Sequence, residues 1–319
     1  MRLRARDQGE RRQPAGRPST LSPSPCTAQP GRAACVARRR AGVRADPTLR
    51  GPRRTVYECV MATIAFSTIK GGVGKTTLCV HTAAALADAG HRVLLLDLDP
   101  QAHASLVLGL EPGDRPCVGD TFGPRPRHRL DEVLVPAPKR PDNLFIAPAC
   151  LRMAAIEREL FGWGHRLQTL PRALKTLSWT PDVVVIDTPP NIGAYTEAVL
   201  AFADTVVAPV PTGAFALQGL GEIETAWREV REGGGTLMAV VNLLDRRTTA
   251  TNEAMEGALA ELSVPVARAR VPRSEAINQA GLAYEVVFDT SPHATGVEEL
   301  RALAAELGRS VGLGRAAAR

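Results

Sequence analysis

Apolar residues fall in short unbroken runs along this chain, separated by longer stretches in which they recur with helical spacing. Runs at 62–67, 92–97, 144–147, 182–187, 205–209 and 236–242 are dominated by Val, Ile, Leu and Ala. Most are continuous rather than alternating, which is the pattern of strands covered on both sheet faces. Such runs, alternating with helical stretches, predict parallel strands joined by crossover helices. The expected fold is α/β: a mostly parallel, twisted sheet with helices on both faces, in a single domain over residues 61–319. Residues 111–142 interrupt the rhythm, being rich in Pro and Arg and poorly periodic, and read as a surface excursion. The stretch 294–308 reads as a closing helix, and no internal repeat is visible.

Residues 1–60 have a different texture. They are rich in Arg, Pro, Ala and Ser and lack apolar periodicity, so they cannot bury enough surface to offset the entropy of ordering. The reading is a disordered extension. Met61 immediately precedes the first strand, which makes it a candidate for the true start of translation. A basic tail that binds DNA and an Arg-rich targeting presequence are the competing readings, although prolines oppose the amphipathic helix a presequence needs.

Composition changes the picture through its distribution. The chain of 319 residues is long enough for one large core, and its formal charge is +6. Residues 1–60 hold 14 Arg and 4 acids, leaving 25 basic and 29 acidic groups in the remaining 259 residues. Basicity therefore belongs to the extension, and overall charge is poor evidence that the domain binds nucleic acid. The six cysteines, at 26, 35, 59, 79, 117 and 150, show no C-x-x-C pair and no regular framework, which fits a reducing cytoplasm. No apolar run approaches the roughly 20 residues a membrane helix needs.

The chemistry concentrates at Lys70-Gly71-Gly72-Val73-Gly74-Lys75-Thr76-Thr77, between the first strand and a helical stretch, Leu78 to Ala89. Strand, glycine-rich loop and helix form the setting of a phosphate-binding loop. Glycines let backbone N–H groups converge, and a helix N-terminus adds partial positive charge. In this motif Lys75 reaches the β- and γ-phosphates of a nucleotide and the Thr76 hydroxyl binds Mg²⁺. Ile69 stands where the ordinary motif has glycine, and a second lysine, Lys70, precedes the glycine pair. Asp97 and Asp99 lie at the end of a strand run, where open α/β sheets place ligands, and residues two apart on a strand share a face. Asp187 ends the run 182–187, where an unpaired buried carboxylate would be costly.

The two-lysine loop resembles that of the ParA/MinD family of P-loop ATPases, and this chain is closest to its ParA, Soj-like branch. The resemblance continues through Arg92 to Gln101, through Val183 to Pro190, through Pro209-Val210-Pro211-Thr212 and Ala216 to Leu220, and through Asp245 to Thr248 and Val271-Pro272-Arg273. It thus spans nearly all of residues 61–310. It implies an ATPase that uses ATP and Mg²⁺ and forms a homodimer when ATP binds. In that scheme Lys70 reaches the partner subunit's nucleotide, Asp99 positions or activates the attacking water, and Asp97 and Asp187 serve the metal with Thr76. Asn242 and Pro272 fall where the family contacts adenine. The resemblance further implies chromosome or plasmid partition, nonspecific DNA binding by the ATP dimer, a ParB-like activator, and a cytoplasmic, nucleoid-associated protein. Arg246, Arg247, Arg270 and Arg273 are the candidate DNA contacts. Two departures stand out: Ala102-His103 follow Pro100-Gln101 where the family commonly has Gly-Asn, and Ala276 occupies a position that is often basic. His103 has no other ligand type beside it and reads as structural or switch-loop packing.

Other functions fit less well. A MinD-like cell-division positioner needs a C-terminal amphipathic membrane helix, and residues 308–314 are glycine-rich. Nitrogenase-type reductases need cluster cysteines, and none follows Asp187 directly. An amidotransferase-linked ligase would want a substrate domain for which this length leaves no room. A DNA-binding regulator with a decayed ATPase would not retain Lys70, Lys75, Asp99 and Asp187 together.

Overall fold

The structure, a computed structural model, describes residues 61–314 except 112, 114, 214 and 215. The readings made for residues 1–60 lie outside the described residues. In chain order the elements are β1 (Ala62–Phe66), α1 (Lys75–Asp88), β2 (Val93–Asp97), α2 (His103–Val107), α3 (Leu130–Val133), β3 (Val135–Pro136) and β4 (Leu144–Ala147). There follow α4 (Met153–Phe161), α5 (Thr169–Leu174), β5 (Val183–Asp187), α6 (Ala194–Phe202), β6 (Thr205–Pro211), α7 (Ala216–Val230) and β7 (Thr236–Asn242). The chain closes with α8 (Thr249–Ala260), α9 (Glu275–Leu282), α10 (Val287–Thr290) and α11 (Val297–Ser310).

The strands form one sheet in the order β3-β4-β2-β5-β1-β6-β7, parallel throughout except where β3 pairs antiparallel with β4. Why the runs are continuous is clear from the two faces. Leu94, Leu96, Val184, Ile186 and Val206 pack on one side against α4 to α7, and Ile64, Phe66, Leu95, Val185 and Val240 pack on the other, against α1, α9 and α11. α11 lays Leu300, Leu303 and Leu307 beside α1 in this same core, so the apolar face of the closing helix is spent on the core. Among the described residues no helix is long and apolar enough to cross a membrane.

The reading of 111–142 as a surface excursion is corrected. Cys117, Val118 and Leu130 are fully buried, and the short edge strand β3 lies within this segment. Irregular bonds replace periodicity here. The Val118 N–H donates to Pro148 O (2.9 Å), and the buried Asp120 carboxylate accepts the Cys117 N–H and the Arg152 guanidinium, both at 2.9 Å. Cys117 and Cys150 form a disulfide with their Cα atoms 5.9 Å apart, a pairing that their spacing in the sequence did not indicate and that runs against the reading of all six cysteines as reduced thiols.

Candidate active site

Three neighbouring strands deliver the site. β5 lies between β1 and β2, and in this register Asp187 sits beside Phe66 on one side and Asp97 on the other. The loop after β1 therefore wraps over the carboxylates that end β5 and β2. Gly72 (φ 74°) and Gly74 (φ 83°) curl this loop into α1, whose first turn carries no acidic residue. Positive φ is the region glycine enters without steric cost. At Gly74 space is closed as well, because a Cβ would lie 2.3 Å from Asn242 Nδ2. That amide donates to Val73 O (2.7 Å), so Asn242, at the end of β7, pins the loop from behind.

Within the cradle, Lys75 Nζ lies 2.7 Å from Asp187 Oδ1, and the Thr76 hydroxyl donates to Asp187 Oδ2, also at 2.7 Å. Lys75 is 7% exposed and Asp187 is fully buried. Burial opposes charge on Lys75, but the Asp187 carboxylate outweighs it and holds the ammonium protonated. Burial pushes Asp187 up while Lys75 and Thr76 pull it down. A buried pair of this kind needs its remaining polar atoms satisfied, and Thr76 contributes to that.

Asp97 and Asp99 part company. β2 ends at Asp97, so the two are not neighbours on one strand face. Asp97 is fully buried and accepts from Ser105 through its N–H (2.8 Å) and its hydroxyl (2.7 Å), and from the Asp99 N–H (3.2 Å). Burial, together with Asp187, raises its pKa to about 7. Asp99 instead lines a cleft of 410 Å³, with Oδ1 accepting the Gln101 N–H at 3.0 Å. Lys70, Lys75, Thr76, Gln101 and Pro190 line the same cleft. The Lys70 stem runs over Gly219 of α7. His103 is exposed and also lines this cleft, so it does not pack inward as its isolation suggested.

A second pocket, of 580 Å³, opens on the other side of Gly72 and Gly74 and is lined by Asn242, Pro272, Ser274 and Ile277. The expected adenine contacts thus lie together beside the phosphate cradle. Gln101, His81, Ile277, Tyr284 and Glu285 also line the cleft, outside the residues singled out in the sequence. For His81 a signal existed: it lies four residues after Thr77, on the same face of the phosphate-binding helix.

The four arginines do not form one patch. Arg246, Arg247 and Arg273 border a 250 Å³ pocket, while Arg270 pairs with Glu256 of α8 at 2.8 Å. Arg246 pairs with Glu299 (2.8 Å), and Arg247 makes a two-pronged contact with Asp245 at 2.9 and 2.7 Å. Ala276 lies on α9, half-buried against the core.

Donor chemistry also bears on what the cradle can hold. A hydroxyl and a carboxylate meeting at Thr76 and Asp187 are the hard oxygen donors Mg²⁺ prefers, and a helix N-terminus beside a protonated lysine suits phosphate. Among the described residues no cluster of three His, Cys, Asp or Glu forms a metal cage.

A family described as an AAA domain matches residues 61–237. The chain is 32% identical over 249 residues to the sporulation initiation inhibitor protein Soj of Bacillus subtilis, covering 76% of this chain and 97% of that protein. It is 30% identical to the chromosome partitioning protein ParA of Myxococcus xanthus, covering 76% and 87%. Among solved structures, cobyrinic acid a,c-diamide synthase from Mycobacterium smegmatis, with bound ADP and magnesium, superposes with a TM-score of 0.67 at 28% identity, covering 80% of this chain and 97% of that one. A chain of that description is thus matched almost end to end, and the length argument against a biosynthetic ligase does not hold.

Proposed function

Because this chain belongs to the ParA/MinD family of P-loop ATPases, we propose that it is an ATP-driven dimerising switch for the partition of chromosomal or plasmid DNA. One observation carries the reading: Lys70, Lys75, Thr76 and Asp99 share a single cleft, with Asp187 directly beneath it. A partition switch needs this set, because hydrolysis must be possible yet slow until a partner completes the site.

The residues divide the work. Loop amides and the start of α1 bind the phosphates, and Lys75 exchanges its Asp187 partner for phosphate oxygens. The Thr76 hydroxyl would hold Mg²⁺, with Asp187 and, at one remove, Asp97 serving it, and the bound ion would neutralise charge at the phosphates. Asp99 orients the attacking water from the cleft wall, and Asn242 and Pro272 receive the adenine. Lys70 extends to the nucleotide of a second copy, where its charge offsets charge developing in the transition state. A lysine that acts only across an interface makes hydrolysis depend on assembly.

As an ATP dimer the protein binds nonspecific DNA through phosphate contacts from Arg246, Arg247, Arg270 and Arg273, and a ParB-like partner stimulates turnover. It works in the cytoplasm, on the nucleoid. Ion pairs at Arg246, Arg247 and Arg270 must open for this, so binding is weak and falls steeply with salt. The test measures ATP turnover and DNA binding with and without nonspecific DNA. Lys70→Ala and Asp99→Ala are expected to bind ATP and lose at least tenfold in turnover, the loss of one transition-state contact. DNA that neither binds with ATP nor alters turnover would sink the partition role. That outcome would favour a second reading, an ATP-using biosynthetic ligase, which the likeness to the Mycobacterium smegmatis synthase supports.

A further inference from the structure

His81 is buried on α1 and belongs to none of the motifs above, yet its ring is fully engaged. Nδ1 lies 2.7 Å from Thr77 O, and Nε2 lies 3.1 Å from the Val287 N. A carbonyl can only accept and an amide N–H can only donate, so the ring carries its proton on Nδ1 and presents a lone pair at Nε2. Phe288 meets the imidazole edge-on at 5.2 Å. One end of this link is the first turn of the phosphate-binding helix. The other is the opening amide of α10, a helix N-terminal donor that has no partner within its own helix.

Between α9 and α10 the chain makes a tight wall. The Glu285 N–H donates to Ala280 O (2.8 Å), and Tyr284 adopts φ 52°, a left-handed conformation uncommon for a bulky residue. Tyr284 and Glu285 line the nucleotide cleft with Ile277 and Gly281, as do Gln101 and His103. Around the far end of the wall Arg140 pairs with Asp289 (2.7 Å) and Arg301 lies over Phe288, but His81 is the contact that ties the Val287 backbone to the phosphate-binding helix.

We propose that His81 is a positioning residue that locks the wall 281–287 to the phosphate-binding turn, so that nucleotide affinity depends on the hydrogen bond between its imidazole and the Val287 amide. This rests on the ATP reading of the cleft. Without the bond the wall samples positions that do not fit nucleotide, and apparent affinity falls by the fraction of closed molecules. The chemical groups are untouched, so turnover at saturation is unchanged.

The experiment measures dissociation constants for MgADP and a non-hydrolysable ATP analogue, kcat at saturating ATP, and amide exchange over residues 281–290. His81→Leu removes both hydrogen bonds at similar bulk. His81→Gln keeps one donor and one acceptor. Val287→Pro removes the amide and exchanges the buried isopropyl group for a ring of similar size, at a helix position proline tolerates and after Val286, which is already extended at φ −87° and ψ 126°. We expect about tenfold weaker nucleotide binding in His81→Leu and in Val287→Pro, with kcat within twofold and faster exchange in the wall. His81→Gln recovers most of the affinity, and the double variant His81→Leu with Val287→Pro is no weaker than either single one. Affinity within twofold of wild type in both single variants, or losses that add in the double variant, overturns the proposal. A wild-type protein that binds neither probe defeats the ATP reading itself, which separates the two failures.

Discussion

At residue scale the site is governed by how little room it leaves. Gly74 is held by two constraints at once, a backbone at φ 83° and an amide 2.3 Å from where a Cβ would stand. The first costs an L-residue roughly 1–2 kcal/mol. The second displaces Asn242, which would release Val73 O from the Asn242 amide and deform the loop. Gly74→Ala should therefore cost on the order of 2–4 kcal/mol of stability, from strain and a lost buried hydrogen bond together. Nucleotide binding should fall below detection while the circular dichroism spectrum keeps its α/β shape. Urea unfolding and calorimetric titration check both. The lysine, threonine and glycines of this loop were legible in the sequence because one continuous stretch of chain supplies them. Asn242 as the backstop was not, since it approaches from β7, the edge strand two places from β1 and far along the chain.

At element scale, continuous apolar runs identified six strands with errors of at most two residues at their ends, because most of each run is buried on both faces. β3 escaped: it has two residues, one of them proline, and lies at the sheet edge, so it carries no run and no alternation. The segment 117–134 escaped for a related reason. Its burial depends on bonds to Pro148, Arg152 and Cys150, none of which leaves a period in the local sequence. The Cys117–Cys150 disulfide closes a sequence separation of 33 residues. By loop-closure entropy such a link stabilises by roughly 3–4 kcal/mol. Reduction with dithiothreitol, or Cys117→Ser, should thus lower the melting temperature by several degrees. Alkylation mass mapping without reductant should recover the two cysteines as one linked peptide. Cys79, buried in α1, should stay unmodified until the chain unfolds.

At the scale of the whole molecule, pH response is a competition between buried groups. His81 is held neutral by burial and titrates at about 4, against 6.5 in an open environment, with Arg140 lowering it further and Thr77 O and Asp289 raising it. Between these values the unfolded chain takes up a proton that the folded chain refuses, so stability drops as pH falls from 6.5 and the loss is complete below about 4. The expected loss is on the order of 3 kcal/mol. Asp97 acts in the opposite sense: its folded pKa of about 7 lies above its ordinary value of 3.8, and its contribution is lost as pH rises between them. The two slopes offset each other in wild type. Urea unfolding from pH 4 to 7 should expose the His81 part as the difference between wild type and His81→Leu, with the variant gaining relative stability toward pH 4. A difference that stays flat across that range would mean His81 is not held neutral.

The sequence by itself determined the α/β class, the phosphate loop with its paired lysines, and the carboxylate at the end of β5. Each is written in consecutive residues, where turn chemistry and two-sided burial leave a local record. Tertiary structure decided the rest: that Asp99 faces the cleft while Asp97 is turned to Ser105, that Arg246, Arg247 and Arg270 are met by carboxylates, and that His81 ties α10 to the phosphate helix. These depend on residues distant along the chain meeting in space, and a contact between distant residues imposes no spacing on either one.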